Sequence, residues 1–427
     1  MRQIKVKINI KALLEYLICF LMIYLSGSAA ISTNEDASIF RILSISLIGF
    51  CLAYDLVYIK SIKSIKCAIF VLCCGILYLI IECLIYRETI LGLVLRLLFV
   101  VVFVMVLCSD RVDVERFFQC VYRIVISIAV ITLIMFLGVN IFKINIPYEY
   151  VANGTDPTFY RSYLGFFYTA GTYLRDFPLT EISIYRLQSF FWEPGVYAVY
   201  LVYALFYFVY VEKNKSKFHI AVLLLSIALT FSTTGICIGI ALFSIYWFDN
   251  IRINKLSKIF MFIPIVLVVA VAIMIVWTTK RVESSHVTGS YYLRRQDLIE
   301  GLRLMLQKPL LGWGYKNYYV FEIAQNLGRG CSNGLVTLGY TMGIVGLGIV
   351  LFPFFSSVYL SVKRIRLREL VFLIVFVLTN MTEPLILMPF MIFLVVYQYR
   401  KCVLLRKYRN TTREINGIRI ISKVDDT

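Results

Sequence analysis

The sequence predicts an all-α polytopic membrane protein, and three observations carry that expectation. Of its 427 residues 60% are hydrophobic and only 16% charged, with a mean hydropathy of +0.82, far outside the soluble range. Apolar runs close to the roughly 20 residues that span a hydrocarbon core recur from one end of the chain to the other. Lys and Arg crowd into the connections between those runs, so the net charge of +18 speaks for membrane topology and not for a nucleic-acid partner.

Taken in order, about twelve candidate spans emerge, at roughly 12–31, 38–59, 67–86, 90–108, 120–142, 191–211, 218–232, 234–249, 259–278, 334–360, 369–381 and 384–400. The whole of 1–427 reads as a single integral membrane domain, closed by a basic tail at 401–427. The stretch RQIKVKINIK leads into a run longer than a signal peptide's, with no small-residue cleavage site, and is expected to open a retained first helix. The seventh and eighth spans are separated on the assumption that Phe231-Ser232-Thr233-Thr234-Gly235 turns; one long helix from 218 to 248 is the rival reading. A similar turn, Asn380 to Pro384, divides the last two. With the N-terminus in the cytoplasm the inward connections hold most of the Lys and Arg, which places both termini inside. The cysteines are scattered, mostly in apolar runs and with no CxxC pair, and read as small buried hydrophobes.

Two connections are too long for plain turns, 143–190 and 279–330, and both fall on the extracytoplasmic side. The first carries Tyr148, Tyr150, Tyr160, Tyr163, Tyr168, Tyr173 and Tyr185 with Arg161, Arg175 and Arg186. An aromatic belt at the bilayer surface and a platform for sugar faces both fit this composition. In the second, Leu298, Ile299, Leu302, Met305 and Leu306 recur at helical spacing, so 291–307 is expected to form an amphipathic helix on the membrane surface. Asp297 and Glu300 read as solvated charges on it, Pro309 stops it, and Gly312 and Gly314 bracket Trp313 in a tight turn.

The chemistry concentrates in YRLQSFFWEPGVYAVYL, Tyr185 to Leu201. Glu193 stands between Trp192 and Pro194 at the mouth of an apolar helix, where Pro suits the first turn and a carboxylate meets the positive end of the dipole. It reads either as a helix-start carboxylate, paired with Arg186, or as a proton acceptor beside a bound substrate. Glu383-Pro384 repeats the Glu-Pro arrangement and is taken as a helix-start carboxylate. Arg96 lies inside the fourth run, where a charge is expensive, and should face protein, water or a lipid phosphate, or snorkel; Arg41 lies near the end of the second run.

An Arg-x-x-Ser-Phe-x-x-Glu-Pro-Gly helix entry (Arg186 to Gly195) is followed by a Ser-Thr-Thr-Gly break (Ser232 to Gly235). An Arg-Arg, helix, Pro-Leu-Leu-Gly-Trp-Gly loop and an Asn-x-x-x-x-x-Gly entry (Asn333 to Gly339) complete the series. In that order these resemble the O-antigen polymerase (Wzy) and ligase superfamily, by motif over about 180–350 and by topology over the whole chain. The resemblance implies a GT-C-like membrane glycosyltransferase in a bacterial plasma (inner) membrane. It would transfer an undecaprenyl-pyrophosphate-linked glycan to the non-reducing-end hydroxyl of another lipid-linked repeat unit and release undecaprenyl pyrophosphate, with membrane lipids and a chain-length regulator as its other partners. It further implies Arg186 with Arg294 or Arg295 as the groups that receive the pyrophosphate. Arg161, Arg175, Tyr185, Trp192, Trp313 and Asn333 join them as substrate-binding candidates. From its place at an apolar mouth Glu193 is the best candidate for proton acceptor, with Asp297 and Glu300 as alternatives. Ligase members carry a His beside the Asn that opens the later helix; here Cys331-Ser332-Asn333 stands instead, which leans toward polymerase. No cofactor is expected, since the long loops hold neither a DxD-like carboxylate pair nor a His cluster. A ligase, and in another class a transporter of lipid-linked sugars, are the alternatives; the charged residues gather in loops and no internal repeat is visible, unlike a transporter with matched midplane sites.

Overall fold

Away from water every backbone polar group must be satisfied within the chain, which makes helix the default for apolar sequence, and the protein is mostly helical. The computed structural model describes residues 9–32, 38–86, 91–109, 111–153, 156–170, 174–176, 183–250, 290–315, 317–325, 330–361 and 363–424. The expected ninth span, 259–278, lies outside the described residues.

The first half runs α1 (Ile10–Leu25), a short α2 (Ala29–Ser32), α3 (Ser38–Tyr54, prolonged by a wider turn to Ile59), α4 (Ile62–Tyr86), α5 (Leu91–Leu107) and α6 (Val114–Phe136, prolonged to Ile141). Beyond the strands come α7 (Pro194–Tyr210), α8 (Lys217–Leu229), α9 (Thr233–Asn250), α10 (Ser290–Gln307), α11 (Tyr318–Gln325), α12 (Gly334–Leu360), α13 (Lys363–Thr382) and α14 (Pro389–Val424). Ser38–Ile59, Ile62–Tyr86, Val114–Ile141 and Gly334–Leu360 are long and apolar enough to cross a membrane. Shorter apolar helices join them, among them Pro194–Tyr210.

The centre is α7. It is apolar on every face, and every residue from Pro194 to Val209 is buried, the pattern of a helix surrounded by others. It packs against α6, α8, α9 and α13. By contrast α4 buries little of its apolar surface, with Ile69, Phe70, Leu77 and Leu84 exposed. Two buried carboxylates are well partnered: Glu15 accepts from Tyr54 and Arg116, and Glu369 from Lys401, Arg368 and Gln398, as a charge in the interior requires.

Several expectations need adjustment. The first long connection is not simply a loop: it forms an antiparallel sheet of β1 (Glu149–Asn153), β2 (Asp156–Tyr163) and β3 (Phe167–Ala170), and a hairpin of β4 (Leu174–Asp176) and β5 (Ser183–Tyr185). Its Tyr, Phe and Thr residues favour a pleated, half-buried surface, and Tyr160, Tyr163, Phe167 and Tyr168 are buried. Between α8 and α9 the chain breaks, with Phe231 at φ 49°, so two helices replace the rival single one. At the end, α14 continues through the expected tail as far as Val424, because no Pro or Gly interrupts its helix-forming residues between Pro389 and Gly417.

One device positions the second loop. In α12, Gly343 adopts φ 65° and ψ −165°, which interrupts the helix and frees backbone groups on both sides. The segment after α10 takes them up. Pro309 and Leu310 carbonyls accept from the Ile344 and Val345 N–H groups, and Trp313 and Gly314 N–H groups donate to the Tyr340 and Thr341 carbonyls at 2.8 and 3.0 Å. A Cβ at residue 343 would stand 2.2 Å from the Leu310 oxygen. Gly343→Ala is therefore expected to destabilise the protein by at least about 2 kcal/mol through backbone strain and this clash. Gly348→Ala, in the same helix with open space around it, should be neutral or slightly stabilising. Thermal unfolding of the two variants in detergent decides between this account and a merely permissive glycine, for which both would behave alike.

Candidate functional site

The entry to α7 is pinned before its chemistry begins. Phe190 and Phe191 stack at 4.4 Å, and Phe191 stacks in turn on Tyr197 and Tyr200 of α7 at 5.2 and 4.7 Å. Backbone bonds from Ala29 to the Phe190 carbonyl and from Trp192 to the Gly27 carbonyl fasten the segment to the α1–α2 turn. The Tyr160 hydroxyl of β2 donates to the Trp192 carbonyl at 2.7 Å, tying the sheet to the same point. Glu193 is consequently fixed as the residue before Pro194, with extended backbone. Its side chain makes no capping bond to its own helix. Among the described residues, no ion pair joins it to Arg186 either, so the structural pairing considered from the sequence is not formed.

Against that helix mouth sits a second carboxylate. Glu383, in the turn between α13 and α14, is 3% exposed. Its carboxylate comes so close to α7 that a Cβ at residue 195 would stand 2.1 Å from Glu383 Oε1; only glycine leaves room. Arg294 of α10 reaches the same oxygen, Nη2 to Oε1 3.8 Å. Burial pushes the Glu383 carboxyl well above the usual carboxylate range; the charge of Glu193 pushes it further, and Arg294 and Arg186 pull it back. Glu193, Arg186 and Arg294 thus each act on Glu383.

Each arginine is held differently. Arg186 Nε donates to the Thr230 carbonyl at 2.8 Å, and the Leu187 N–H donates to the Leu229 carbonyl, so the α8–α9 break supplies the acceptors that orient it. Arg294 is half-buried on α10, whereas Arg295 is exposed and makes no hydrogen bond or ion pair among the described residues. Of the two adjacent arginines, the geometry selects Arg294. Arg161, on β2, has its guanidinium 5.2 Å over the Tyr148 ring. Arg175 occupies β4 opposite Ile184, and Tyr185 is opposite Leu174.

Other residues singled out in the sequence work as supports. Trp313 donates its indole N–H to the Leu304 carbonyl at 2.9 Å, and the Lys308 ammonium lies 4.1 Å over its ring. Asn333 caps α12, its side-chain oxygen accepting from the Val336 N–H at 3.0 Å. Trp192 contributes packing against the core beside the backbone contacts already described. Asp297 is a correction: expected as a solvated charge, it is fully buried and accepts from both the N–H and the hydroxyl of Ser332 at 2.9 and 2.6 Å. Glu300 does lie nearer the surface, 3.5 Å from Arg303. The residue undervalued by the sequence reading is Glu383, and its signal was the repeated Glu-Pro pair.

The raised Glu383 carboxyl sets a sign for stability. Its folded form keeps the proton to higher pH than its unfolded form does, so stability falls as pH rises from the ordinary carboxylate range through the folded value. Glu383→Gln keeps the shape without the ionisation. The expected outcome is a melting temperature of the wild type that drops relative to the glutamine variant as pH rises from about 4 towards neutral, measured for both proteins in one detergent series; parallel curves would refute it.

No protein-family model matches the chain, and a search of curated proteins finds none that matches it.

Proposed function

We propose that this protein is a polysaccharide polymerase of the O-antigen (Wzy) type, a metal-independent membrane glycosyltransferase. It moves an undecaprenyl-pyrophosphate-linked glycan onto the non-reducing-end hydroxyl of a second lipid-linked repeat unit. The observation that carries the reading is the meeting of Arg186, Arg294, Glu193 and Glu383 at the mouth of the central helix. In the same reading about twelve helices span the plasma membrane in a GT-C-like arrangement, both termini are cytoplasmic, and the sheet and α10 face outward.

The reaction breaks the bond between the anomeric carbon and the pyrophosphate oxygen and forms one to the acceptor hydroxyl oxygen. Charge accumulates on the departing pyrophosphate, and a proton must leave the acceptor. Arg186 and Arg294 suit the first need, because guanidinium groups stay charged and grip phosphate oxygens in pairs. Glu383 competes less than an exposed carboxylate would, because burial raises its carboxyl and so weakens its hold on the arginine charges. Glu193, half-buried and with a side chain that makes no hydrogen bond or ion pair among the described residues, is positioned to take the acceptor's proton.

Arg294→Ala and Arg186→Ala, expressed at wild-type level, should each lower polymer synthesis by about a hundredfold or more, leaving cells with a single repeat unit on the surface lipid. Arg295→Ala should retain long chains. Gel profiles of the surface glycan check both; long polymer from all three variants would sink the proposal, and long polymer stranded on the carrier lipid would redirect it to ligation.

A further inference from the structure

Arg96 takes no part in the group just described, and its surroundings are unusual for a cation. It sits on α5 among apolar neighbours, with Nη1 donating to the Gly92 carbonyl at 3.0 Å and its guanidinium 5.5 Å over the Tyr315 ring. Its Nε is buried without a hydrogen-bond partner. Among the described residues no carboxylate pairs with it; the neighbouring Glu82 instead accepts from the Tyr78 hydroxyl and the Tyr315 N–H. Arg96 is half-buried, and a partly desolvated guanidinium with no ion pair among the described residues favours an anion beside it.

Arg96 also lines a cavity of about 160 Å³. Thr337 adds a polar group to the lining, and Ile386, Leu387 and Met388 add apolar ones. One cation in a lining otherwise mostly apolar matches a ligand whose single anionic end continues into hydrocarbon. Inorganic phosphate would satisfy the cation and leave the wall unfilled. A neutral sugar would satisfy neither.

We propose that this cavity binds a phosphate-headed lipid, with the phosphate on Arg96 and the first part of the chain against Ile386, Leu387 and Met388. The assignment is independent of the polymerase reading, since it rests on groups that reading leaves unused. A polyprenyl phosphate and a phospholipid share the required chemistry.

The test uses the full-length protein in phosphatidylcholine nanodiscs, titrated separately with farnesyl phosphate, phosphatidylglycerol and inorganic phosphate, with bound ligand counted by native mass spectrometry. Farnesyl phosphate should bind the wild type at least tenfold more tightly than Arg96→Gln, and Arg96→Lys should recover part of the loss. Met388→Trp, which fills the cavity and leaves the cation, should weaken binding as well, guarding against a simple folding defect of the arginine variants. Preference for phosphatidylglycerol over farnesyl phosphate, lost in the same variants, supports the site with a bulk lipid as its source. Equal lipid binding by wild type and Arg96→Gln, or inorganic phosphate binding as tightly as either lipid, overturns it. Polymer length in the Arg186→Ala and Arg294→Ala variants tests the polymerase reading alone, and lipid binding in the Arg96→Gln and Met388→Trp variants tests this cavity alone.

Discussion

A carboxyl group almost without water, Glu383, sets the terms on which four separate parts of the chain meet. Its position is possible only because residue 195 lacks a side chain, and its burial makes ionisation expensive unless cations are near. Two arrive from elements far apart in sequence, Arg294 from α10 and Arg186 from the end of the β-rich connection. A third neighbour, Glu193, works against them. Burial raises the Glu383 carboxyl, so it competes less for the two arginines than an exposed carboxylate would.

Holding Arg294 at that point requires α10 to be fixed in rotation as well as in place. Two anchors do this. At its C-terminal end the following segment fills the gap in α12 opened by Gly343, and the Trp313 indole closes back on the Leu304 carbonyl. Nearer its start, buried Asp297 clasps Ser332, immediately ahead of the Asn333 cap of α12. Arg294 and Asp297 are three residues apart and share a helix face, so the bond that orients Asp297 also turns Arg294 towards Glu383. The break in α12, which looks like a defect in a long apolar helix, is what lets a loop hydrogen-bond into the bundle and steer a catalytic candidate on another helix.

Much of this was legible in the sequence, and the boundary of legibility has physical causes. Apolar runs gave the helices, and Pro194, Pro309 and Asn333 marked ends that the structure keeps, because capping and ring constraints are local. The sheet at 149–170 escaped the reading: its Tyr-rich composition suited an interfacial belt equally well, and only the pairing of β1, β2 and β3 distinguishes the two. Arg294 and Arg295 were equivalent on paper, since adjacent helical positions separate only when the helix has something to face. Asp297 was misjudged for the same reason. Glu383 lies almost two hundred residues from Glu193, and no local rule brings two Glu-Pro corners together; that contact belongs to the packing of α13 and α14 against α7.

The Arg96 cavity and the carboxylate group meet at one turn, because Pro384 and Gly334 line the cavity and Glu383 is the residue before Pro384. A phosphate-headed chain seated on Ile386, Leu387 and Met388 therefore lies against the backbone that carries Glu383. Gly334 packs against the same turn, where a Cβ would stand 2.8 Å from the Glu383 backbone oxygen, so cavity and carboxyl are built on one stretch of backbone.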